Sequence, residues 1–297
     1  MTVRVGLVGA GPWAGLFHAP MLAAGPHTSL AAVWARRPEA AEQLATSYGA
    51  SHAASYDDLL AACDAVAFAV PPPVQAMLAP RAAQAGKHLL LEKPLAFTLP
   101  EAEAIADAVD ASGVQSLIVL RNRFTEEGSA FVAKARAGRP MGAWANFVSG
   151  AALPGSPFAT PWRMELGAMF DLAPHAIDIL DAALGPVTGI TAVGDPLRWL
   201  GLTLEHEGGA VSQAALSITA PGSSAPFRIE AATEEGPVVF DGAKSDDDPG
   251  VQESITSALA QAVTSGVAHP LDVHRGVFLQ QCMAKALADL PTTPPAR

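Results

Sequence analysis

Asp171, His175 and Asp178 recur at i, i+4 and i+7 within the stretch 167–180, so a helix there carries all three on one face. Leu172, Ala176 and Ile179 form the adjoining apolar stripe. Pro174 is acceptable only in a first helical turn, which starts the helix near Leu172 and leaves His175 by its positive end, where an imidazolium is disfavoured. A neutral imidazole can accept a proton, and a nearby carboxylate can fix its tautomer and support the charge it gains. The plainer reading makes Asp171 an N-cap and His175 a packed core residue, and for this pair alone it is slightly ahead. No third ligand stands at an obvious spacing, so no metal is assigned. His18 and the other histidines show no comparable partner pattern.

A second reactive group is Lys93. Leu89-Leu90-Leu91 has the apolar continuity of a strand buried on both faces, and it stops at Glu92-Lys93-Pro94. Pro94 cannot continue a sheet ladder and favours an extended Lys93, so the amine is expected at the C-terminal end of its strand, where open α/β sheets bind ligands. The commoner fate of such a lysine is simply to mark a strand's exit into water.

These groups need elements to position them. Val3–Val8 reads as a strand, Gly9-Ala10-Gly11-Pro12-Trp13-Ala14-Gly15 as a turn, and Leu16, Phe17, Met21 and Leu22 as the helix that follows. Gly9 permits the tight turn and Gly11 a close approach of backbone N–H groups to a pyrophosphate at the helix N-terminus. Pro12 and Trp13 border that approach. The next strand, Leu30–Ala35, ends in Arg36-Arg37 where an NAD site would normally offer a carboxylate, which favours NADP, with NAD retained as the alternative. Both arginines could instead be solvated residues near Glu39. Asp64–Val70 is a further buried strand, ended by Pro71-Pro72-Pro73 at the edge of the glycine turn. Helices at 56–62, 74–85 and 100–112 alternate with the strands, and Val114–Leu120 closes a parallel sheet.

Beyond about residue 122 the rhythm changes. A helix at 126–137 precedes strands near 141–149, 187–193, 198–206, 210–219, 227–232 and 237–240, which argues a mostly antiparallel sheet. Residues 241–250 read as a solvated loop, and helices near 251–265 and 271–289 finish the chain. The expected fold is therefore α/β: an N-terminal Rossmann doubly wound parallel sheet in residues 1–122, and a C-terminal α+β domain with a mostly antiparallel open sheet in residues 123–297.

Composition excludes several classes. Half of the 297 residues are hydrophobic and 16% are charged, so two ordinary domains can each bury a core. A net charge of −11 opposes general affinity for nucleic acid or anionic membrane. No stretch approaches a membrane span, no leader is evident, and a cytoplasmic location is expected. Cys63 and Cys282 lie in apolar helical patterns and read as reduced packing residues.

Together, Gly9-Ala10-Gly11, residues 86–94, Arg121-Asn122-Arg123-Phe124, Trp162-Arg163 and residues 171–178 give the chain a specific likeness. It resembles the Gfo/Idh/MocA oxidoreductases, the group of glucose–fructose oxidoreductase and inositol dehydrogenase, over essentially its whole length. The resemblance implies NAD(P)-dependent oxidoreduction between a nicotinamide and a secondary alcohol or ketone of a sugar, cyclitol or related polyol. It implies Lys93, Asp171 and His175 as catalytic residues, with Arg123 and Arg163 beside His175 on the substrate. Gly9, Gly11, Pro12, Trp13, Arg36, Arg37, Pro71, Glu92 and Lys93 would hold the cofactor, and the open sheet would support a homo-oligomer, dimer or tetramer. Ala173 and Gln75 depart from the family pattern, which has a glycine and often a histidine there. Two rival readings are a redox-assisted hydrolase or internal oxidoreductase with retained cofactor, and a non-catalytic nucleotide-binding sensor or partner protein.

Overall fold

The computed structural model describes residues 2–156, 158–221, 227–246, 248 and 250–291. The chain forms two compact units, Met1–Val119 with Gly250–Phe278, and Leu120–Pro249 with Leu279–Arg297. Both are discontinuous, unlike the division at 122/123 expected from the sequence. In the first unit Ile118 N–H donates to the Leu271 carbonyl at 2.8 Å and Val273 N–H to Ser116 Oγ at 3.0 Å. Gly276 lies against Leu95, close enough that a Cβ would come within 2.7 Å of its Cδ2. Helix Val251–Ser265 and the start of helix Val273–Ala288 thus complete the first unit.

That unit contains β1 (Val3–Val8), β2 (Thr28–Trp34), β3 (Ser51–His52), β4 (Ala65–Phe68), β5 (His88–Leu91) and β6 (Ser116–Ile118), in the order β3-β2-β1-β4-β5-β6 with every pairing parallel. This is the Rossmann arrangement. Ala65, Val66, Ala67 and Phe68 are all buried, because helices cover both faces. Capping boxes at Ser55/Asp58 and Thr98/Glu101 start helices Tyr56–Ala62 and Leu99–Ser112. β3 escaped the sequence reading because it is two exposed polar residues.

The second unit holds β7 (Pro140–Val148), β8 (Val187–Asp195), β9 (Trp199–His206), β10 (Val211–Ser217), β11 (Arg228–Thr233) and β12 (Gly236–Asp241), ordered β12-β11-β7-β10-β9-β8. Only β7 and β10 run parallel; the other pairs are antiparallel. Helices Glu126–Ala137 and Ala173–Leu184 pack on one face, where Phe131 meets Phe240. On the other face Trp144 and Gln213 stand in register, and Trp144, Trp199 and Val193 are half or more exposed. Residues 242–246 of the expected loop form a short helix instead, whose Ala243 N–H bonds Asp241 Oδ1 at 3.1 Å; Asp247 and Pro249 lie outside the described residues. Among the described residues no helix is long and apolar enough to cross a membrane.

Candidate functional site

In the first unit the glycine turn leaves β1 where the strand order reverses between β1 and β4, the usual nucleotide crevice of such sheets. Gly9 has φ 119° and donates its N–H to the Trp34 carbonyl at 2.9 Å; any side chain would run into the Ala69 carbonyl. At Gly11 a Cβ would meet nothing within 4 Å, so open space borders its backbone. The turn therefore fits a pyrophosphate. Residues Ala14–His18 form a π-turn, in which Ala19 N–H reaches back to the Ala14 carbonyl, before α-helix Ala19–Ala23. The sequence predicted a plain helix here. Pro20 has no N–H to continue an ordinary ladder, which helps explain the wider turn.

Lys93 follows β5 at the same edge of the sheet, half-buried, and its peptide bond to Pro94 is cis. Its turn is held by side chains from two neighbouring elements. Gln75, 1% exposed on helix Pro72–Gln84, donates to the carbonyls of Glu92 and Leu95, each at 2.9 Å, and accepts the Glu92 N–H at 2.8 Å. The Glu92 carboxylate accepts Trp13 Nε1–H at 2.8 Å and the Lys93 N–H at 3.2 Å, and it lies 2.7 Å from His18 Nε2. Gln75 thus fills a bracing role that its departure from the family pattern did not announce. His18 also went unrecognised in the sequence, because its partner stands 74 residues away.

Pro71 caps helix Pro72–Gln84 just beyond β4, exposed to solvent. Arg36 and Arg37 are exposed after β2, and neither guanidinium pairs with Glu39 or any other carboxylate among the described residues.

In the second unit the helix carrying His175 begins at Ala173 with Pro174 in its first turn, as the proline predicts, and it carries His175 and Asp178 but not Asp171, contrary to the single helix expected from the i, i+4, i+7 spacing. Asp171 ends the preceding helix Ala168–Asp171 and is not an N-cap, since no side chain caps Ala173–Leu184. Instead Arg163 Nε lies 3.0 Å from Asp171 Oδ1, an ion pair without the alignment of a hydrogen bond. The Arg163 guanidinium sits 4.5 Å over the Trp162 ring. His175 is half-buried, 6.5 Å from the Phe147 ring, and Phe147 stacks on Phe227. One turn on, the buried Asp178 accepts from Arg123 Nη1 at 3.1 Å, so this arginine, expected on the substrate, has a carboxylate partner in its own unit.

The family model described as an oxidoreductase family with an NAD-binding Rossmann fold matches residues 3–120, and the GFO/IDH/MocA C-terminal domain model matches residues 129–239. The chain is similar to dTDP-3,4-didehydro-2,6-dideoxy-alpha-D-glucose 3-reductase of Streptomyces violaceoruber, 35% identical over 134 residues, 44% of this chain and 38% of that one. It is also similar to levoglucosan dehydrogenase of Pseudarthrobacter phenanthrenivorans, 31% identical over 137 residues, 43% of this chain and 35% of that one. These matches span little more than a third of the relatives' length. A solved structure of levoglucosan dehydrogenase in complex with NADH and levoglucosan superposes with a TM-score of 0.84 at 20% identity, covering 97% of each chain, which establishes a common fold. Matched by the family's models in both its N-terminal and C-terminal parts, this chain belongs to the GFO/IDH/MocA oxidoreductase family.

Proposed function

We propose that the protein is an NADP(H)- or NAD(H)-dependent dehydrogenase or reductase acting on a secondary alcohol or ketone of a sugar, cyclitol or related polyol. The observation that carries this reading is the placement of an open glycine turn and Lys93 at one edge of a parallel sheet, beside its topological switch point. The names of the relatives, a sugar 3-reductase and levoglucosan dehydrogenase, support the substrate class. A bound nicotinamide dinucleotide supplies the two-electron carrier. Gly9, Gly11, Pro12, Trp13, Pro71 and Glu92 bind and orient that carrier. In the oxidative direction His175 accepts the hydroxyl proton on a ring nitrogen, Lys93 Nζ stabilises the developing alkoxide, and Asp171 orients the imidazole. Arg163 and Arg123 hold the substrate side through their guanidiniums.

The test is a screen of sugars and polyols with cofactor absorbance as readout, followed by His175→Ala and Lys93→Ala. Each substitution is expected to lose about 10²–10⁴-fold in turnover while dinucleotide binding persists. Near-normal turnover overturns the assigned roles.

Two finer points belong to the same reading. The exposed Arg36 and Arg37, with no carboxylate competing for them, favour a 2′-phosphate and hence NADP. Comparing dissociation constants for the two dinucleotides decides this, and an NAD preference of about tenfold, roughly 1.4 kcal/mol, overturns it. The bare face of the second sheet, with Trp144, Trp199 and Val193, favours pairing with a second copy in a cytoplasmic dimer or tetramer. Sedimentation of Trp144→Glu/Trp199→Glu is expected to give monomers, and an unchanged assembly rejects this face.

A further inference from the structure

We infer that His18 is a positioning residue for Lys93, acting through the Glu92 carboxylate; the inference rests on the role proposed above for Lys93. His18 is completely buried on the π-turn that follows the glycine turn. Its Nε2 lies 2.7 Å from Glu92 Oε1, the oxygen that also accepts Trp13 Nε1–H, while Glu92 Oε2 accepts the backbone N–H of Lys93. One carboxylate therefore ties the segment after the glycine turn to the backbone of the residue that carries the amine.

A carboxylate only accepts, so the hydrogen of this contact belongs to His18 Nε2. The other ring nitrogen, Nδ1, is buried and has no hydrogen-bond partner among the described residues. A buried polar atom without a partner is unfavourable, and an aromatic hydrocarbon ring of similar size would fill the space beside Phe17 without that cost. Core packing alone therefore does not account for a histidine at this position. What the imidazole adds is a fully buried donor on the Glu92 oxygen that the more exposed Trp13 also contacts. Gln75 holds the Glu92 backbone, while the Glu92 carboxylate links the lysine turn to Trp13 and His18.

The experiment compares His18→Phe, which keeps a ring and removes the donor, with His18→Gln, whose amide can restore an N–H to Glu92. His18→Phe is expected to lower kcat by about 10–100-fold, as for a displacement of roughly 1 Å at a reacting group, with the KM for the sugar or polyol near wild type. His18→Gln is expected to recover most of kcat. An unchanged kcat in His18→Phe, or a glutamine variant no better than phenylalanine, overturns the inference.

A second readout needs no substrate. Lys93 is modified with pyridoxal 5′-phosphate and borohydride, and the labelled peptide is followed by mass spectrometry. Its labelling rate is expected to change severalfold in His18→Phe and return in His18→Gln; equal rates in all three proteins overturn the inference. If the wild-type protein turns over no sugar or polyol, the functional reading fails while labelling still decides the role of His18. Should His18→Phe fail to fold, Glu92→Gln takes its place in the labelling assay, where a wild-type rate overturns the inference.

Discussion

The lysine turn and the histidine helix hold their reactive groups by different means. Lys93 sits on irregular backbone pinned by directed hydrogen bonds from Gln75 and through the carboxylate of Glu92. His175 sits on a regular helix whose residues Ala173, Ala176, Ile177, Ile179 and Leu180 are all buried, with ion pairs of Arg163 and Arg123 at Asp171 and Asp178. A strand exit lacks the internal ladder that rigidifies a helix, so neighbouring side chains must supply its constraints. A helix needs only an anchored face. The first arrangement should be sensitive to single polar atoms, and the second to volume and buried charge.

The sharpest test of that contrast is Asp178→Ala, which leaves the partly buried Arg123 without its carboxylate and is expected to lower the unfolding free energy by about 3–5 kcal/mol in urea titration. A loss below 1 kcal/mol would mean that the helix does not depend on the pair. Ile179→Ala is expected to cost about 2–5 kcal/mol by cavity formation while leaving Lys93 labelling unchanged. Gln75→Leu should cost about 1–3 kcal/mol, since the Glu92 N–H loses its partner, and should alter Lys93 labelling. If Gln75→Leu left labelling untouched and Ile179→Ala changed it, the contrast would be reversed. Thr98→Ala, at the cap of the helix after the lysine turn, is expected to cost only about 1 kcal/mol.

The smallest effect concerns His88, at the start of the lysine strand. Burial lowers its pKa, and its Nδ1 accepts the Gln115 N–H at 2.9 Å, a bond that protonation of Nδ1 removes. The folded value lies below the unfolded one, near 6.5, so the contribution is present above about pH 6.5 and is lost as pH falls toward the folded value. The slope cannot exceed about 1.4 kcal/mol per pH unit for one proton. His88→Gln should flatten the fall in urea midpoint between about pH 7 and 5, and an identical slope in both proteins removes His88 as its source.

Much of the fold was legible because its signals are local. The runs at 65–68 and 89–91 are continuously apolar, which is what a strand covered on both faces requires, and Pro174 fixed the start of the histidine helix. The proposed reactive groups, Lys93 and His175, stand out in the sequence as residue types at telling positions. Their supports were not. Gln75 and His18 act on a turn 17 and 74 residues away, and no periodicity along a single chain reports such a meeting. Arg123 was singled out only for the substrate, and its ion pair with Asp178, 55 residues on, had no signal in the sequence.

The return of Gly250–Phe278 to the first unit bears on how the protein is made. A ribosome delivers the glycine turn and Lys93 long before it delivers Leu271, whose carbonyl takes the Ile118 N–H, and Gly276, which closes over Leu95. The nascent parallel sheet must therefore wait, with its β6 edge incompletely covered, while the intervening second unit is synthesised. A gene fragment ending near residue 122 would lack that cover altogether, so an exchange of the nucleotide-binding half between relatives would have to carry two separate pieces of coding sequence.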